Sequence, residues 1–142
     1  MRTKRRNLTL GLGLVLIGAV ACSLSVTTAN ISSLKLGKDK SVSQETSNFS
    51  TGDTIYGVAE ISNAPGKLKV KGRLVVDDVE GQQSGPIPGL ETTVDLAGSG
   101  TATFTFSPPT DGWPKGKYKM EVLMLNEDGA QKDQKTASFT VS

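Results

Sequence analysis

The side chains that most often perform chemistry in proteins are scarce in this sequence. Its 142 residues include no histidine and a single cysteine, Cys22. Histidine is the commonest general base and the commonest metal ligand. Its absence therefore argues against a catalytic site with the usual general base and against a metal site with the usual ligand. A lone cysteine cannot form an intramolecular disulfide, and no Gly-x-Ser-x-Gly elbow is present. We therefore expect no enzyme activity and no cofactor.

Clustered carboxylates are the second place where chemistry could occur. Asp77, Asp78 and Glu80 lie together just before Gly81, and oxygen ligands of this kind suit calcium. Their spacing is not that of an EF-hand loop, and the other acidic residues are scattered over turns and outward strand positions. We favour a solvated hairpin end and expect no metal site.

The only tryptophan, Trp113, stands between Gly112 and Pro114 in a segment rich in turn-forming residues. Its large amphipathic ring could anchor a partner or stack on a sugar. It could equally cap one end of the folded domain. The structural cap is the favoured interpretation, and the partner contact is kept as a candidate.

The N-terminal segment has the charge and hydropathy pattern of an export signal. Arg2, Lys4, Arg5 and Arg6 precede the uncharged apolar run Leu8–Ala21, as in a secretory signal peptide. This run is shorter than the roughly 20 apolar residues that a membrane-spanning helix needs. Its removal leaves 12 basic and 14 acidic residues. A net negative chain argues against a nucleic-acid partner.

Small residues lead directly to the cysteine in Ala19-Val20-Ala21-Cys22. This motif resembles the lipobox of bacterial lipoproteins. The resemblance implies that residues 1–21 are a signal peptide and that Cys22, acylated with chains such as palmitate, becomes the new N-terminus. Two or more acyl chains give stable attachment. We therefore expect an exported protein anchored by lipid to a bacterial membrane, on the periplasmic or extracellular face of the cell envelope. The alternative is an uncleaved signal anchor with Cys22 buried.

The chain beyond the cysteine divides by composition. Residues 22–52 are rich in Ser, Thr, Asn and Lys, which predicts a lipidated N-terminus and a flexible polar linker. Weak alternation at residues 31–36 indicates a possible edge strand there. From residue 53 to residue 142 the apolar period is two and helix signals are absent, so this segment is the expected folded domain.

The period-two segments predict six or seven short strands separated by turns. The clearest are residues 55–61, 68–77, 90–96, 101–106, 117–125 and 137–141, with turn signals such as Asn63-Ala64-Pro65-Gly66, Pro86-Ile87-Pro88-Gly89 and Asn126-Glu127-Asp128-Gly129. One polar face per strand is typical of antiparallel sheets. We expect an all-β fold, a single immunoglobulin-like antiparallel sandwich of about seven strands. A small open barrel is the competing architecture.

One local pattern sharpens the fold class. The segment Gly116-Lys117-Tyr118-Lys119-Met120 follows a proline-rich corner. It resembles the tyrosine corner of immunoglobulin-like domains, and the stretch from Trp113 to Val141 is similar to the last two strands of bacterial immunoglobulin-like or fibronectin-like modules. Such modules serve as spacers, adhesins and docking domains, so the resemblance implies a class and no particular activity.

The charge pattern suggests where a partner could bind. In an immunoglobulin-like sandwich the strands predicted at 68–77 and 116–125 would be neighbours in one sheet. Their outward residues would then form one basic face, which also carries Val75, Leu123 and Leu125. The basic residues of this face are Lys69, Lys71, Arg73, Lys117 and Lys119. The alternative is a solvated face whose lysines prevent edge-to-edge pairing.

Two hypotheses on function follow. In the first, a membrane-anchored lipoprotein uses a non-catalytic immunoglobulin-like domain to dock to an envelope protein or polysaccharide, with the basic face and Trp113 making the contact. In the second, the domain binds a small ligand, a carbohydrate or a metal ion in the envelope. The second hypothesis requires a concave pocket or an ordered acidic loop.

Overall fold

The computed structural model describes residues 28–142 as one all-β sandwich. Among these residues no helix is long and apolar enough to cross a membrane. The eight strands are β1 (Asn30–Gly37), β2 (Asn48–Phe49), β3 (Ile55–Ser62), β4 (Leu68–Val79), β5 (Gly85–Leu96), β6 (Gly100–Phe106), β7 (Gly116–Asn126) and β8 (Gln131–Val141).

The strands form two sheets of unequal size. The three-stranded sheet has the order β1-β3-β6, and the five-stranded sheet has the order β2-β8-β7-β4-β5. The predicted neighbours β4 and β7 pair antiparallel along almost their whole length. This arrangement confirms the immunoglobulin-like sandwich. One pairing is not antiparallel, because the short strand β2 runs parallel to β8.

The core forms from the alternate residues that face the other sheet. Ile55, Ala59, Phe104, Met120 and Val122 are all completely or almost completely buried. They occupy every second position of their strands, which is the period expected when one face of a strand is covered. Among residues 28–142 no polar or charged residue is fully buried. The interior is thus a purely apolar layer between the two sheets.

The predicted turn between β7 and β8 shows why the strand boundaries could be read from the sequence. The N–H of Gly129 donates to the carbonyl of Asn126 over 2.9 Å, and the Asn126 side chain accepts from the N–H of Ala130 over 3.0 Å. Gly129 has φ +87°, a left-handed conformation that glycine adopts without steric cost. Residues 126–129 therefore close the hairpin as predicted.

The expected boundary at residue 53 is wrong. Strand β1 pairs with β3 along its length, and Ile31 and Leu36 are buried. Phe49 is 2% exposed and packs edge-on against Phe139, with ring centroids 5.4 Å apart. Residues 30–52 therefore belong to the sandwich, and only residues 22–29 remain for the predicted linker. The signal segment and Cys22 lie outside the described residues.

The prolines at 86 and 88 also differ from expectation. The segment Pro86–Gly89, predicted as a turn, lies within the first half of β5. Strand β5 is at the edge of its sheet, where a residue without an N–H can face solvent. The pairing with β4 shifts register between Arg73 and Val75, and Gly89 has φ +82°. The proline-rich segment is thus accommodated as an irregular edge strand.

Candidate functional site

The predicted binding residues of β4 and β7 do lie on one surface. Cross-strand register places Lys71 opposite Leu123, Arg73 opposite Glu121 and Val75 opposite Lys119. Directly opposed residues share a face of a sheet. Lys69, Lys71, Arg73, Lys117 and Lys119 therefore all point away from the core, together with the outward residues of β5 and β8. We call this surface the charged face.

The charged face is not basic, contrary to the sequence-based expectation. Carboxylates form ion pairs with four of its five cations. The ion pairs are Lys69–Asp95 at 3.0 Å, Lys71–Glu91 at 3.6 Å, Arg73–Glu121 at 2.7 Å and Lys119–Asp77 at 3.9 Å. Two of the acids are on β5, one is on β7 and one is on β4 itself. The face is a mosaic of both charges, so it has little net field with which to attract an anionic partner.

Arg73 makes the shortest of these contacts. Its Nε donates to Glu121 Oε1 over 2.8 Å, and a terminal guanidinium nitrogen lies 2.7 Å from the same oxygen. Arg73 and Glu121 side chains are 29% and 18% exposed, whereas the other three pairs are more open to solvent. Exposed ion pairs contribute about 0–1 kcal/mol each. Their arrangement therefore bears on recognition more than on the stability of the fold.

Lys117 differs from the other cations of the charged face. Within residues 28–142 it takes part in no ion pair, although it lies opposite Asp78 in the β4–β7 register. It is solvent-exposed and sits at the start of β7, next to the Pro114–Gly116 corner. Lys117 is thus the cation of this face with the least local compensation of its charge.

The apolar side chains on the charged face are mostly covered. Val75 is 9% exposed and Leu123 is 7% exposed, although both point away from the core. Lys119 and Lys71 stand directly opposite them, and the alkyl part of a long cationic side chain can lie over apolar neighbours. Leu125 remains half-buried. The face therefore offers a polar, charged surface with one accessible aliphatic residue near its end.

Trp113 does not belong to this surface. It is 3% exposed, and its indole Nε1 donates to the carbonyl of Asp53 over 2.7 Å. Its backbone N–H donates to the carbonyl of Thr51 over 2.8 Å. The ring therefore closes the end of the sandwich and ties the β2–β3 connection to the β6–β7 loop. This burial supports the cap and removes Trp113 from the candidate contact residues.

The acidic segment at the β4–β5 turn is a solvated hairpin end. Asp77, Asp78 and Glu80 are exposed, and Asp77 faces Lys119. Ser84 Oγ donates to the Asp77 carbonyl over 2.8 Å, which closes the turn. Among residues 28–142 no group of three His, Cys, Asp or Glu side chains converges as a metal site would require.

An open concavity that sequence reasoning missed lies at one end of the sandwich. It has a volume of about 830 Å³ and lies between the β3–β4 and β7–β8 loops, beside the start of β1. Its lining mixes Leu68, Met124 and Leu125 with Lys67 and Glu127. These residues come together only because the two loops meet at the same end of the fold. A small-ligand function, the second hypothesis, would use this concavity.

Comparisons with known proteins add no family or function. No family model matches the chain, and no curated protein matches it. The chain is similar to the PmoD soluble domain from Methylocystis sp., with 16% identity and a TM-score of 0.44 over 77% of this chain and 89% of that one.

Two further solved structures have comparable likeness. A Niemann-Pick type C2 protein from the Japanese carpenter ant shares 13% identity, with a TM-score of 0.48 over 82% of this chain and 94% of that one. Bacteroides uniformis β-glucuronidase 2 shares 17% identity, with a TM-score of 0.49 over 81% of this chain and 14% of that one. Likeness at this level carries no argument on function, so the assignment of the fold rests on strand order and register.

Proposed function

We propose that the protein is an exported envelope lipoprotein, anchored by acyl chains on Cys22, whose sandwich domain is a non-catalytic docking module for another envelope component. The lipobox-like sequence before Cys22 supports the anchor. The charged face supports docking, because rows of fixed charges on a rigid sheet can match a partner of complementary pattern. The partner is an envelope protein or polysaccharide.

The single observation that carries this proposal is the charged face, which spans four strands and orders both charges in rows. Lys69 and Asp95 form one row, and Arg73 stands between Glu91 and Glu121 in another. Lys71 lies in the row between these two and reaches Glu91 diagonally over 3.6 Å. A face with little net charge gives weak long-range attraction but can reject partners of the wrong pattern. It therefore favours a specific protein or polysaccharide partner over an anionic lipid surface.

The anchor would hold the domain close to the membrane. Seven residues separate Cys22 from Asn30, where β1 begins. Eight residue steps from Cys22 to Asn30 span at most about 29 Å, at up to roughly 3.6 Å per residue. Asn30 lies opposite Ser62, at the end that carries the β3–β4 and β7–β8 loops. That end of the sandwich would face the bilayer. The charged face would then extend away from the bilayer surface, where a partner could reach it from the side.

Site-directed photo-cross-linking in intact cells tests the docking face. A photoreactive residue at Gln134, which lies opposite Leu123 on the charged face, should capture one dominant partner. The same residue at Glu60, which is exposed on the three-stranded sheet, is the matched control and should not. The double reversal Lys71→Glu and Lys119→Glu places like charges beside Glu91 and Asp77, and it should reduce the adduct at least about tenfold.

A second double reversal controls for net charge. Lys35→Glu and Lys40→Glu change the charge equally at exposed positions of β1 and of the loop that follows it, outside the five-stranded sheet, and the adduct should persist. Both double variants should fold, because the substituted side chains are on the surface. Equal adducts from Gln134 and Glu60, or an adduct that survives the reversal of Lys71 and Lys119, would show that this face is ordinary solvated surface.

A further inference from the structure

The free edge of β6 is an unprotected place for another strand to bind. Strand β6 pairs with β3 on one side, and among residues 28–142 no strand pairs with its other side. Its sequence, Gly-Thr-Ala-Thr-Phe-Thr-Phe, contains neither a charged residue nor a proline. Half of the backbone N–H and C=O groups of an edge strand point outward and can pair with an incoming chain.

The other edges of the described sandwich carry the devices that prevent such pairing. Strand β5 contains Pro86 and Pro88 and the acids Glu91 and Asp95. Strand β1 carries Lys35 and has a register irregularity between Ile31 and Ser33, and β2 has only two residues. Prolines, charges, bulges and short length are the usual protection of natural edges. The edge of β6 has none of them over its seven residues.

The unequal sheets leave space beside β6 for one strand. A Cβ on Gly72 would come within 2.6 Å of the Phe104 ring, so β6 lies directly over β4. Strand β5 lies beyond β4 in the five-stranded sheet, with no described strand above it. Thr92 is opposite Gly72 and therefore points to the same side, where it is exposed, and Val94 is half-buried. A strand added to β6 would cover these two residues.

We propose that this edge binds an extended peptide segment of another polypeptide, which adds to β6 as a fourth strand of the three-stranded sheet. Main-chain hydrogen bonds to β6 would supply affinity, and the side chains over β5 would supply selectivity. Those side chains are uncharged and small or aliphatic, because they lie over Val94, Thr92 and the rim of the apolar core. This inference is independent of lipidation and of the charged face.

A second copy of the domain does not fit the same edge. Antiparallel pairing of two β6 strands would extend both three-stranded sheets in one plane, with both five-stranded sheets on the same side. The β4 strand of the second copy, beneath its own β6, would then fall where β5 of the first copy lies. The five-stranded sheet extends beyond β6 by one strand, β5. One added strand therefore fits over β5, but a symmetric dimer that continues the sheet does not.

Nuclear magnetic resonance on the full chain in detergent solution tests the proposal. The probe is a capped peptide with the sequence of Ile55–Ser62, which is the natural antiparallel neighbour of β6 and places Ile, Gly, Ala and Ile on its inner side. Titration should shift the amide signals of β6 and of Thr92 and Val94 on β5. Signals of β1, at the opposite edge of the sheet, should stay in place.

Two lysine substitutions with the same charge separate the edge site from unspecific binding. Thr92→Lys puts an ammonium group beneath the added strand, and it should raise the dissociation constant for the peptide at least about tenfold, since burying an unpaired charge is costly. Thr105→Lys adds the same charge on the outer side of β6 and should change the dissociation constant for the peptide less than about twofold. Both positions are exposed, so the fold should be retained. Absence of shifts in β6, or equal effects of the two substitutions, would overturn the proposal.

Discussion

Tyr118 shows how a local sequence signature fixes a buried contact. Its hydroxyl donates to the carbonyl of Pro114, four residues earlier, and its ring stacks on Phe139 with centroids 5.4 Å apart. The predicted tyrosine corner is therefore present. It could be recognised because donor and acceptor are close in sequence. The ion pairs of Lys71 and Arg73 could not be foreseen in this way, since their partners Glu91 and Glu121 are brought near only by the register of three strands.

The tyrosine corner makes a prediction that depends on pH. Tyr118→Phe should lower the free energy of unfolding by about 0.5–1.5 kcal/mol at pH 7, because the substitution removes the donor of the hydrogen bond to the Pro114 carbonyl. Burial raises the pKa of Tyr118, so the neutral phenol stabilises the fold fully below its ordinary pKa of about 10. That contribution is lost as the pH rises through the raised value. Urea unfolding should show a smaller difference in the free energy of unfolding between wild type and Tyr118→Phe above pH 10 than at pH 7. A difference of constant size would contradict this account.

The strands were predicted well where one face is covered and poorly where the burial is sparse. Strands β3, β4 and β7 alternate regularly because both sheets bury their inner residues. Strands β1 and β2 escaped assignment to the domain because their polar composition resembles a linker. In β2 one residue, Phe49, supplies the buried contact. Periodicity cannot reveal a strand of two residues, so the boundary predicted at residue 53 lies after the true start of the domain.

The close approach of β4 and β6 can be tested with glycine substitutions. Gly72→Ala should destabilise the domain by about 1–3 kcal/mol, because its Cβ would meet the fully buried ring of Phe104. Gly57→Ala is the matched control, since its Cβ would meet the flexible thioether of Met120, which can change rotamer. Urea denaturation of both variants should show the larger loss for Gly72→Ala. Equal losses would contradict a close approach of Gly72 to the ring of Phe104.

The whole molecule combines a sandwich that the sequence predicted with a surface that it predicted only in part. The strand period and turn residues were enough for the fold class, because both are local. The charged face could be predicted only with the order of strands β5, β4, β7 and β8. That order brings acidic residues beside the predicted basic ones, so the surface carries both charges. The early start of β1 likewise shortens the expected linker, since only seven residues lie between Cys22 and Asn30.

Mass spectrometry of the protein purified from bacterial envelopes tests the central claim, that the domain is anchored by lipid on Cys22. We predict a mature N-terminus at Cys22, a peptide mass increased by acyl groups on that residue, and release of the Cys22→Ser variant from the membrane fraction. The Cys22→Ser variant should retain the fold, because the sandwich begins at Asn30. An intact N-terminus with an unmodified Cys22, in a protein that still sediments with membranes, would contradict the account and favour an uncleaved signal anchor.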